Sequence, residues 1–288
     1  MKKGLVGVQM MMLKKKVDEM GVYEVFRKLS EMGFHCVEVS QIPMTPENVA
    51  EMKRGCADFG IKIAALSAAV EPMPGMPGES LQTDFDKIVA DCKELNCNFL
   101  RVGMLPFHYM SSKEGAMTFV GKMEELAGRL AEHDIELYYH NHHCEFRKYD
   151  GEYLLDIIKN NTSHIGFELD VHWIQRGGEN PITFVKKYTD RVKLLHLKDY
   201  RTGKFVMPEV KGPEDFMKVM ENFGKITEFA ELGQGSLPMK EIVEAGLEAG
   251  SEYFLIEQDD TYGRDPFESL EMSRDHLYSL GFKDMFNL

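Results

Sequence analysis

Short apolar runs alternate with helix-like amphipathic segments along almost the whole chain. Runs of this length, bounded by polar and glycine residues, are typical of buried strands. They predict strands near residues 5–9, 36–40, 61–67, 98–103, 135–141, 165–170, 192–197 and 253–257. The intervening segments predict helices near residues 19–32, 46–59, 79–95, 112–133, 151–160, 181–189, 214–222, 238–249 and 266–280.

Residues at both ends of the predicted helices support these boundaries. Gly33, Gly60 and Gly250 each stand between a helix-like segment and an apolar run, where a left-handed helix stop is expected. Proline occupies a first helical position in the dipeptides TP at 45–46 and NP at 180–181. The segments SSKE at 111–114 and DPFE at 265–268 each place a glutamate three residues after a capping residue.

The alternation of strands and helices predicts an α/β fold. Strands that alternate with helices are expected to pair in parallel. Eight strand–helix units in 288 residues match the size of a (β/α)8 TIM barrel. A doubly wound open sheet is the rival, but it would gather its ligands at one switch point. The chain has no GxGxxG or P-loop motif, so neither dinucleotide nor nucleoside triphosphate binding is expected. We therefore predict a single TIM-barrel domain over residues 1–288.

Two insertions follow predicted strand ends. Residues 71–78 read EPMPGMPG and predict a long loop after the third strand. Residues 198–235 hold a short helix and an extra apolar run at 226–232. Because the active sites of TIM barrels lie at the carboxyl ends of the strands, both insertions should cover the catalytic face.

Four of the predicted strands end on residues that commonly bind metals. Residues 136–146 read ELYYHNHHCEF and include His140, and the next three strands end near Asp170, His196 and Glu257. Two imidazoles and two carboxylates with an open position suit Mn²⁺, Zn²⁺, Fe²⁺ or Co²⁺ better than Mg²⁺ or Ca²⁺. The pattern predicts one divalent metal ion. His142 lies two residues after His140, so on a strand both side chains face the same side. His142 could therefore replace His140 as a ligand or join it.

Four further side chains are candidates for substrate binding, each with a structural alternative. Glu38 ends the second strand and could bind a substrate hydroxyl or form a salt bridge. His108 could reach the site from the loop after strand four or lie on the surface. Trp173 and Phe146 could wall the cavity for a sugar ring or belong to the core.

Composition limits the partners. The net charge of −13 gives a surface that repels nucleic-acid phosphates and anionic membranes, so a small substrate is expected. No run of eighteen apolar residues is present, and the apolar stretch near the N-terminus is too short for a signal peptide, so a cytoplasmic location is expected. Five cysteines without a CxxC motif argue against a disulfide framework and a structural zinc site.

These motifs together resemble the sugar phosphate isomerase/epimerase superfamily, the xylose-isomerase-like TIM barrels. The resemblance covers nearly the whole chain and is carried by YHNH at 139–142, EF at 145–146, ELDV at 168–171, HLKD at 196–199, ELGQG at 231–235 and IEQD at 256–259. The superfamily includes keto-sugar 3-epimerases, hydroxypyruvate isomerase, inosose dehydratase, 3-dehydroshikimate dehydratase and endonuclease IV.

The resemblance implies a metal held by Glu, Asp, His and Glu at the ends of strands five to eight. Asp170, His196 and Glu257 match the last three positions, whereas His140 stands where a glutamate is usual. In the epimerases two glutamates shuttle the proton between the faces of the sugar, so this departure puts a symmetrical 3-epimerase mechanism in doubt. In related dehydratases a histidine two residues after the first ligand transfers a proton, and His142 occupies that place. Endonuclease IV has Asp-x-x-His on strand six, where this chain has Trp173, so DNA repair is not expected.

The predicted function is a metal-dependent isomerase or epimerase of a small keto-sugar or related polyol. His142 or Glu145 would remove a proton beside a carbonyl to give an enediolate, and Glu257 would take the second proton-transfer role. Lys198 could stabilise the enolate oxygen, or form a salt bridge with Asp199. One alternative is a lyase or dehydratase acting through the same enolate on an inosose, a dehydroshikimate or a keto-glycoside. A non-enzymatic sugar-binding role is the third, and formation of a homo-oligomer stays open.

Overall fold

Eight parallel strands close into a barrel in the computed structural model, which describes residues 4–73, 75 and 78–288. In chain order the barrel strands are Leu5–Gln9, Cys36–Val39, Lys62–Ser67, Phe99–Val102, Glu136–His140, Ile165–Asp170, Val192–Leu197 and Tyr253–Ile256. Each strand pairs in parallel with its neighbours in the chain, and the eighth closes the ring on the first. The predicted TIM barrel is confirmed, and its strands differ from the predicted ones by a residue at most at either end.

The helices surround this barrel. The described residues form α-helices at Lys14–Met20, Val22–Glu31, Pro46–Phe59, Phe85–Glu94, Lys113–Ala131, Leu154–Asn160, Val171–Arg176, Pro181–Lys187, Phe216–Gly224, Met239–Ala249 and Pro266–Ser279. Short 3-10 helices lie at Met10–Leu13, Phe107–Met110, Cys144–Phe146, Pro213–Asp215 and Lys283–Phe286. The predicted caps at Thr45, Asn180 and Asp265 each accept a hydrogen bond from a backbone N–H of the first turn. In the SSKE segment the cap is Ser112, which accepts from the Gly115 backbone N–H, and not Ser111 as the spacing to Glu114 predicted.

Three predicted helices start later than predicted or are interrupted for local reasons, and one observed helix was not predicted. The predicted helix over 79–95 begins only at Phe85, because Ser80 and Asp84 close a turn through the Asp84 carboxylate and the Ser80 carbonyl. Residues 151–153 belong to a small hairpin, so the next helix starts at Leu154. The predicted helix over 19–32 is interrupted at Gly21 (φ 83°), which separates two helices. The short helix Val171–Arg176 was not predicted.

The amino-terminal end of the barrel interior is apolar. Its buried side chains form one cluster, with Leu5 and Phe99 packed against it: Cys36, Ala64, Ala65, Tyr138, Leu194, Tyr253 and Leu255. The rings of Phe99 and Tyr138 lie 4.6 Å apart, and the Tyr138 hydroxyl donates to Glu136 over 2.8 Å. The polar residues of the interior therefore gather at the opposite, carboxyl-terminal end.

The insertion after the seventh strand forms a hairpin beside that end. Asp199–Thr202 pairs with Thr227–Ala230, and the helix Phe216–Gly224 lies between the two strands in the chain. The buried Asp199 carboxylate anchors the base of the insertion, since it accepts from the backbone N–H groups of Gly233, Gly235, Ser236 and Leu237. The other predicted insertion, at 71–78, falls partly outside the described residues. Among the described helices, none combines the length and the apolar character that crossing a bilayer requires.

Candidate metal centre

The four predicted metal ligands converge at the carboxyl-terminal mouth of the barrel. His140, Asp170, His196 and Glu257 each offer one ligand atom, and these atoms lie within 4.8 Å of one another. All four side chains are buried, with exposed fractions of 2%, 0%, 0% and 5%. The topology explains the convergence, because strands five to eight are neighbours in the closed sheet.

For three of the four, the second polar atom of the side chain is already engaged by the protein. His140 Nδ1 lies 3.2 Å from the carbonyl oxygen of Gly103, which can only accept, so the proton is on Nδ1 and Nε2 carries a free lone pair. Asp170 Oδ1 accepts from the backbone N–H of Trp173 over 3.0 Å, and Glu257 Oε1 accepts from Gln9 Nε2 over 3.1 Å. Fixed outer contacts of this kind orient ligands toward a metal.

Two of the candidate ligand atoms have no hydrogen-bond donor or acceptor of their own in the described part of the chain. Within the described residues, His140 Nε2 and Asp170 Oδ2 are buried and have no hydrogen-bond partner. They lie 3.7 Å apart, and Asp170 Oδ2 is 3.8 Å from His196 Nδ1. Burial raises the pKa of Asp170 to about 7. Buried acceptors rarely stay unpaired in proteins, and a cation between them would satisfy these lone pairs. The residues therefore fit a divalent metal ion.

His196 is held by carboxylates on both ring nitrogens. Its Nδ1 lies 2.8 Å from Glu257 Oε2, whereas Nε2 lies 3.0 Å from Glu38 Oε2 and 3.1 Å from Glu168 Oε1. Burial alone would lower the pKa of His196, but the charges of Glu168, Glu257 and Glu38 raise it well above its ordinary value. A metal ion at Nδ1 would replace the proton on that nitrogen, while Nε2 keeps its hydrogen bond to Glu38.

Glu38 and Glu168 form a second layer with Arg101. Arg101 Nε lies 2.7 Å from Glu38 Oε1 and 3.3 Å from Glu168 Oε2. Burial alone would raise the pKa of Glu38, yet Arg101 and His196 lower it to about 2, whereas burial and the Glu38 charge raise the pKa of Glu168 to about 8. The pair thus holds one negative charge and one proton near neutral pH. Glu38, Glu168 and His196 could also bind a metal by residue type, but the Arg101 guanidinium already supplies a positive charge there.

His142 lies beside the four ligands as a neutral side chain. Its ring is 4.8 Å from that of His140 and 5.5 Å from that of Trp173, and its Nδ1 is buried with no hydrogen-bond partner among the described residues. Burial lowers the pKa of His142 to about 3. A neutral imidazole with a free nitrogen can accept a proton.

Glu145, the other predicted base, braces the turn after the fifth strand. Its carboxylate accepts hydrogen bonds from the Tyr139 hydroxyl over 2.6 Å, from the His142 backbone N–H over 2.8 Å and from Cys144 Sγ over 3.1 Å. These contacts fix the main chain of His142. The structure therefore brings the His142 ring, and not the Glu145 carboxylate, to the ligand cluster.

Lys198 is a buried ammonium at the edge of the cluster. Its Nζ lies 2.6 Å from Asp259 Oδ1, 3.3 Å from Glu257 Oε2 and 3.8 Å from Asp170 Oδ2. Burial alone would lower the pKa of Lys198, but these three carboxylates raise it. The salt bridge considered with Asp199 is replaced by one with Asp259, since Asp199 points into the base of the insertion.

The remaining predicted substrate residues take different places. Trp173 joins the cluster, because Lys198 Nζ lies 4.9 Å from its ring. His108 is exposed and lies 3.4 Å from Glu71, outside the cluster. Phe146 packs against Tyr153 and Phe184 in the layer around the barrel.

Sequence reasoning missed several residues of this centre. They are the buried polar side chains Gln9, Arg101 and Glu168. Gln9 contacts Glu257 and Glu168 contacts His196, whereas Arg101 contacts Glu168 one layer below. The signal for Glu168 was present, because Glu168 and Asp170 are two residues apart on one strand and face the same side. Arg101 and Gln9 come from strands on the other half of the barrel, and nothing in the local pattern marks them.

A family model and several known proteins match this chain. The model of the xylose isomerase-like TIM barrel matches residues 26–280. Inosose dehydratase from Lacticaseibacillus casei is 26% identical over 157 residues, which are 54% of this chain and 51% of that protein. The chain thus spans about half the length of the curated relatives that it matches.

Three solved structures share the fold. A sugar phosphate isomerase/epimerase from Parabacteroides distasonis has a TM-score of 0.75 at 19% identity, covering 97% of this chain and 99% of that one. The probable 3-DHS dehydratase AsbF from Bacillus anthracis has a TM-score of 0.68 at 13% identity, covering 96% and 98%. The IOLI protein with a bound zinc atom has a TM-score of 0.66 at 14% identity, covering 99% and 100%. The resemblance seen in the sequence is confirmed, and the chain belongs to the xylose isomerase-like TIM barrel family.

Proposed function

We propose that this chain is a divalent-metal-dependent enzyme that isomerises or epimerises a small keto-sugar or a related polyol. The observation that carries the proposal is the convergence of four buried ligand atoms, two of them without a hydrogen-bond partner, beside the neutral ring of His142. Members of the family are mostly enzymes, which supports a catalytic role over sugar binding alone.

The metal would be held by His140 Nε2, Asp170 Oδ2, His196 Nδ1 and Glu257 Oε2. Mixed nitrogen and oxygen ligands suit Mn²⁺, Zn²⁺, Co²⁺ or Fe²⁺. When bound, such an ion polarises a substrate carbonyl and acidifies the C–H bond next to it. Glu38 keeps the His196 ring oriented, because it accepts from Nε2 and leaves Nδ1 for the ligand position, while Glu168 lies 3.1 Å from the same nitrogen.

His142 would act as the base. Its unpaired Nδ1 can take the proton from the hydroxyl-bearing carbon next to the carbonyl, which gives an enediolate. In isomerisation the hydroxyl proton of that carbon then passes to the former carbonyl oxygen, and the protonated His142 returns its proton to the former carbonyl carbon. The contact of its backbone N–H with Glu145 holds the ring in place. Lys198, anchored by Asp259, would place positive charge next to the developing oxyanion, and Trp173 would offer an apolar face to the sugar.

A lyase or dehydratase is the second candidate. His142 and Lys198 are chemically unlike and lie against different ligands, so one could remove a proton while the other donates one to a departing hydroxyl group. The match to inosose dehydratase and the shared fold with a probable 3-DHS dehydratase support this alternative. Both reactions start with removal of the same proton.

Proton NMR of keto-sugars and inososes in D₂O with the metal-loaded protein would test the proposal. Isomerisation should incorporate deuterium next to the carbonyl and conserve the rest of the molecule. Loss of water or of a glycosidic group would reject the isomerase in favour of the lyase. The absence of both exchange and turnover across a broad panel would reject the enzyme and favour a sugar-binding protein.

A further inference from the structure

The insertion after the seventh strand exposes a concentrated apolar surface. Of the twelve large apolar side chains exposed in the described residues, eight lie between residues 205 and 223. These eight, which we call the 205–223 face, are Phe205, Val206, Met207, Val210, Phe216, Met217, Met220 and Phe223. Single exposed apolar residues are normal on protein surfaces, but a cluster of this kind indicates an interaction site.

The helix Phe216–Gly224 is hardly covered by the described part of its own chain, although Asn222 donates to the Val206 carbonyl oxygen. It buries none of its residues, whereas every other α-helix of the described structure buries at least one. Phe216, Met220 and Phe223 follow the i, i+4, i+7 spacing of one helical stripe. A helix of nine residues is marginal in water without packing, so this stripe requires a surface to cover it.

The charges around the face favour a second copy of this chain over a charged partner. Residues 203–226 carry four lysines and four acids, so this segment is neutral in a chain of net charge −13. The acids include Asp215 and Glu221, which pair with Lys218 and Lys225 along the helix. Two copies that meet at a neutral segment avoid the repulsion between their acidic surfaces, whereas an acidic or basic partner would find no complementary charge.

The size of the face matches what a stable dimer needs. The eight side chains are 39% to 73% exposed. Since a large side chain presents ~150–250 Å² when free, together they offer on the order of 800 Å². This is about the area that each partner contributes to an interface of standard size, and it exceeds the patch of ~300–600 Å² found on a typical monomer.

We propose that the 205–223 face is the interface of a homodimer, in which a twofold axis packs the stripe of Phe216, Met220 and Phe223 against its own copy. Asp199 and the hairpin attach the insertion to the barrel, so the 205–223 face is held in a fixed position relative to the barrel. Asp215, just before the exposed helix, accepts from the Lys211 backbone N–H over 2.8 Å and so stabilises the turn that leads into the helix.

Sedimentation velocity of the full chain over a roughly hundredfold range of concentration tests this interface. The wild type should show a reversible monomer–dimer equilibrium. Met217→Glu combined with Phe223→Glu should raise the dimer Kd by about 100-fold or more, because two charges per copy would be buried in an apolar contact. Met117→Glu is the matched control, since Met117 is also exposed on a helix but lies outside the face.

The control should keep the wild-type Kd, and all variants should keep the thermal unfolding midpoint of the dilute monomer, because the substituted side chains are exposed in a single chain. Amides of residues 216–224 should exchange more slowly as concentration rises. A monomer at every concentration, a dimer that survives both glutamates, or equal dissociation by Met117→Glu would overturn the proposal. So would protection of these amides in the dilute monomer, since the face would then be covered by its own barrel.

Discussion

The two ends of the barrel interior are built from the same eight strands in opposite ways. At the amino-terminal end, aromatic and aliphatic side chains fill the space, and the Tyr138 hydroxyl has a partner in Glu136. At the carboxyl-terminal end, imidazoles, carboxylates, a guanidinium and an ammonium are buried together, and His140 Nε2 and Asp170 Oδ2 have no partner among the described residues.

One end of the barrel interior therefore serves mainly the stability of the fold, and the other end serves metal binding. An unpaired buried polar atom costs about 1–3 kcal/mol, so the carboxyl-terminal end stores unfavourable free energy that a bound cation would remove. At the amino-terminal end the buried Tyr138 hydroxyl is hydrogen-bonded to Glu136, so this end carries no such cost and contributes mainly through packing. Substitutions at the two ends should therefore have different consequences.

Asp170→Ala should have the largest effect at the metal end. It removes the carboxylate oxygen that faces both His140 and His196, so metal affinity should fall by at least about 100-fold and activity should disappear. Metal content of the purified protein measures the first effect. Asp156→Ala is the control, because Asp156 is also buried but pairs with Lys187 and Tyr188 in the helical layer, and it should lose stability while it keeps the metal.

His142→Asn should separate chemistry from metal binding. The metal content should stay at the wild-type level while kcat falls by about 10²-fold or more, because the free nitrogen next to the ligands is lost. His143→Asn should change neither quantity, since His143 is exposed and its ring lies 5.1 Å from that of Trp173. A loss of metal equal to that of Asp170→Ala would make His142 a ligand and contradict its role as the base.

Glu38→Gln and Glu168→Gln should differ, although both acids contact His196. Glu38 carries the charge that pairs with Arg101, so its neutralisation should lower the free energy of unfolding by about 3–5 kcal/mol. Glu168 has a pKa of about 8 and is already protonated near neutral pH, so a glutamine should cost about 1 kcal/mol or less. Denaturant unfolding of the two variants at pH 7 checks this order. Equal losses would contradict the sharing of one charge and one proton.

Tyr138→Phe probes the apolar end and should have the smallest effect. The variant loses one hydrogen bond to Glu136, which corresponds to about 1 kcal/mol of unfolding free energy, and its ring still packs against Phe99. Metal affinity and kcat should not change. A change in either would show that the two ends of the barrel are coupled.

The sequence predicted the barrel, and it predicted that four candidate ligands would converge, because both follow from local patterns. Apolar runs bounded by glycine and capping residues mark the strands, and the closed topology then places His140, Asp170, His196 and Glu257 together. The helices Lys14–Met20 and Val171–Arg176 were missed because they are short and fall next to glycine or a strand end.

The contacts beneath the ligands could not be predicted in this way. Arg101 meets Glu38 and Glu168 across the barrel, and the partner of Lys198 is Asp259, 61 residues away in the chain. Such pairs depend on the register of distant strands and on which side chains share the interior. Charge alone suggested Asp199 as the salt-bridge partner of Lys198. In the structure the Asp199 carboxylate instead accepts from backbone N–H groups at the base of the insertion.

Anomalous scattering from a crystal grown with Mn²⁺ or Zn²⁺ tests the central claim most directly. One peak per chain is predicted, about 2.0–2.3 Å from His140 Nε2, Asp170 Oδ2, His196 Nδ1 and Glu257 Oε2. His196 Nε2 should still contact Glu38 and Glu168. A peak on the Glu38 and Glu168 side of His196, or no peak at the four ligands in crystals of the folded protein, would contradict the assignment.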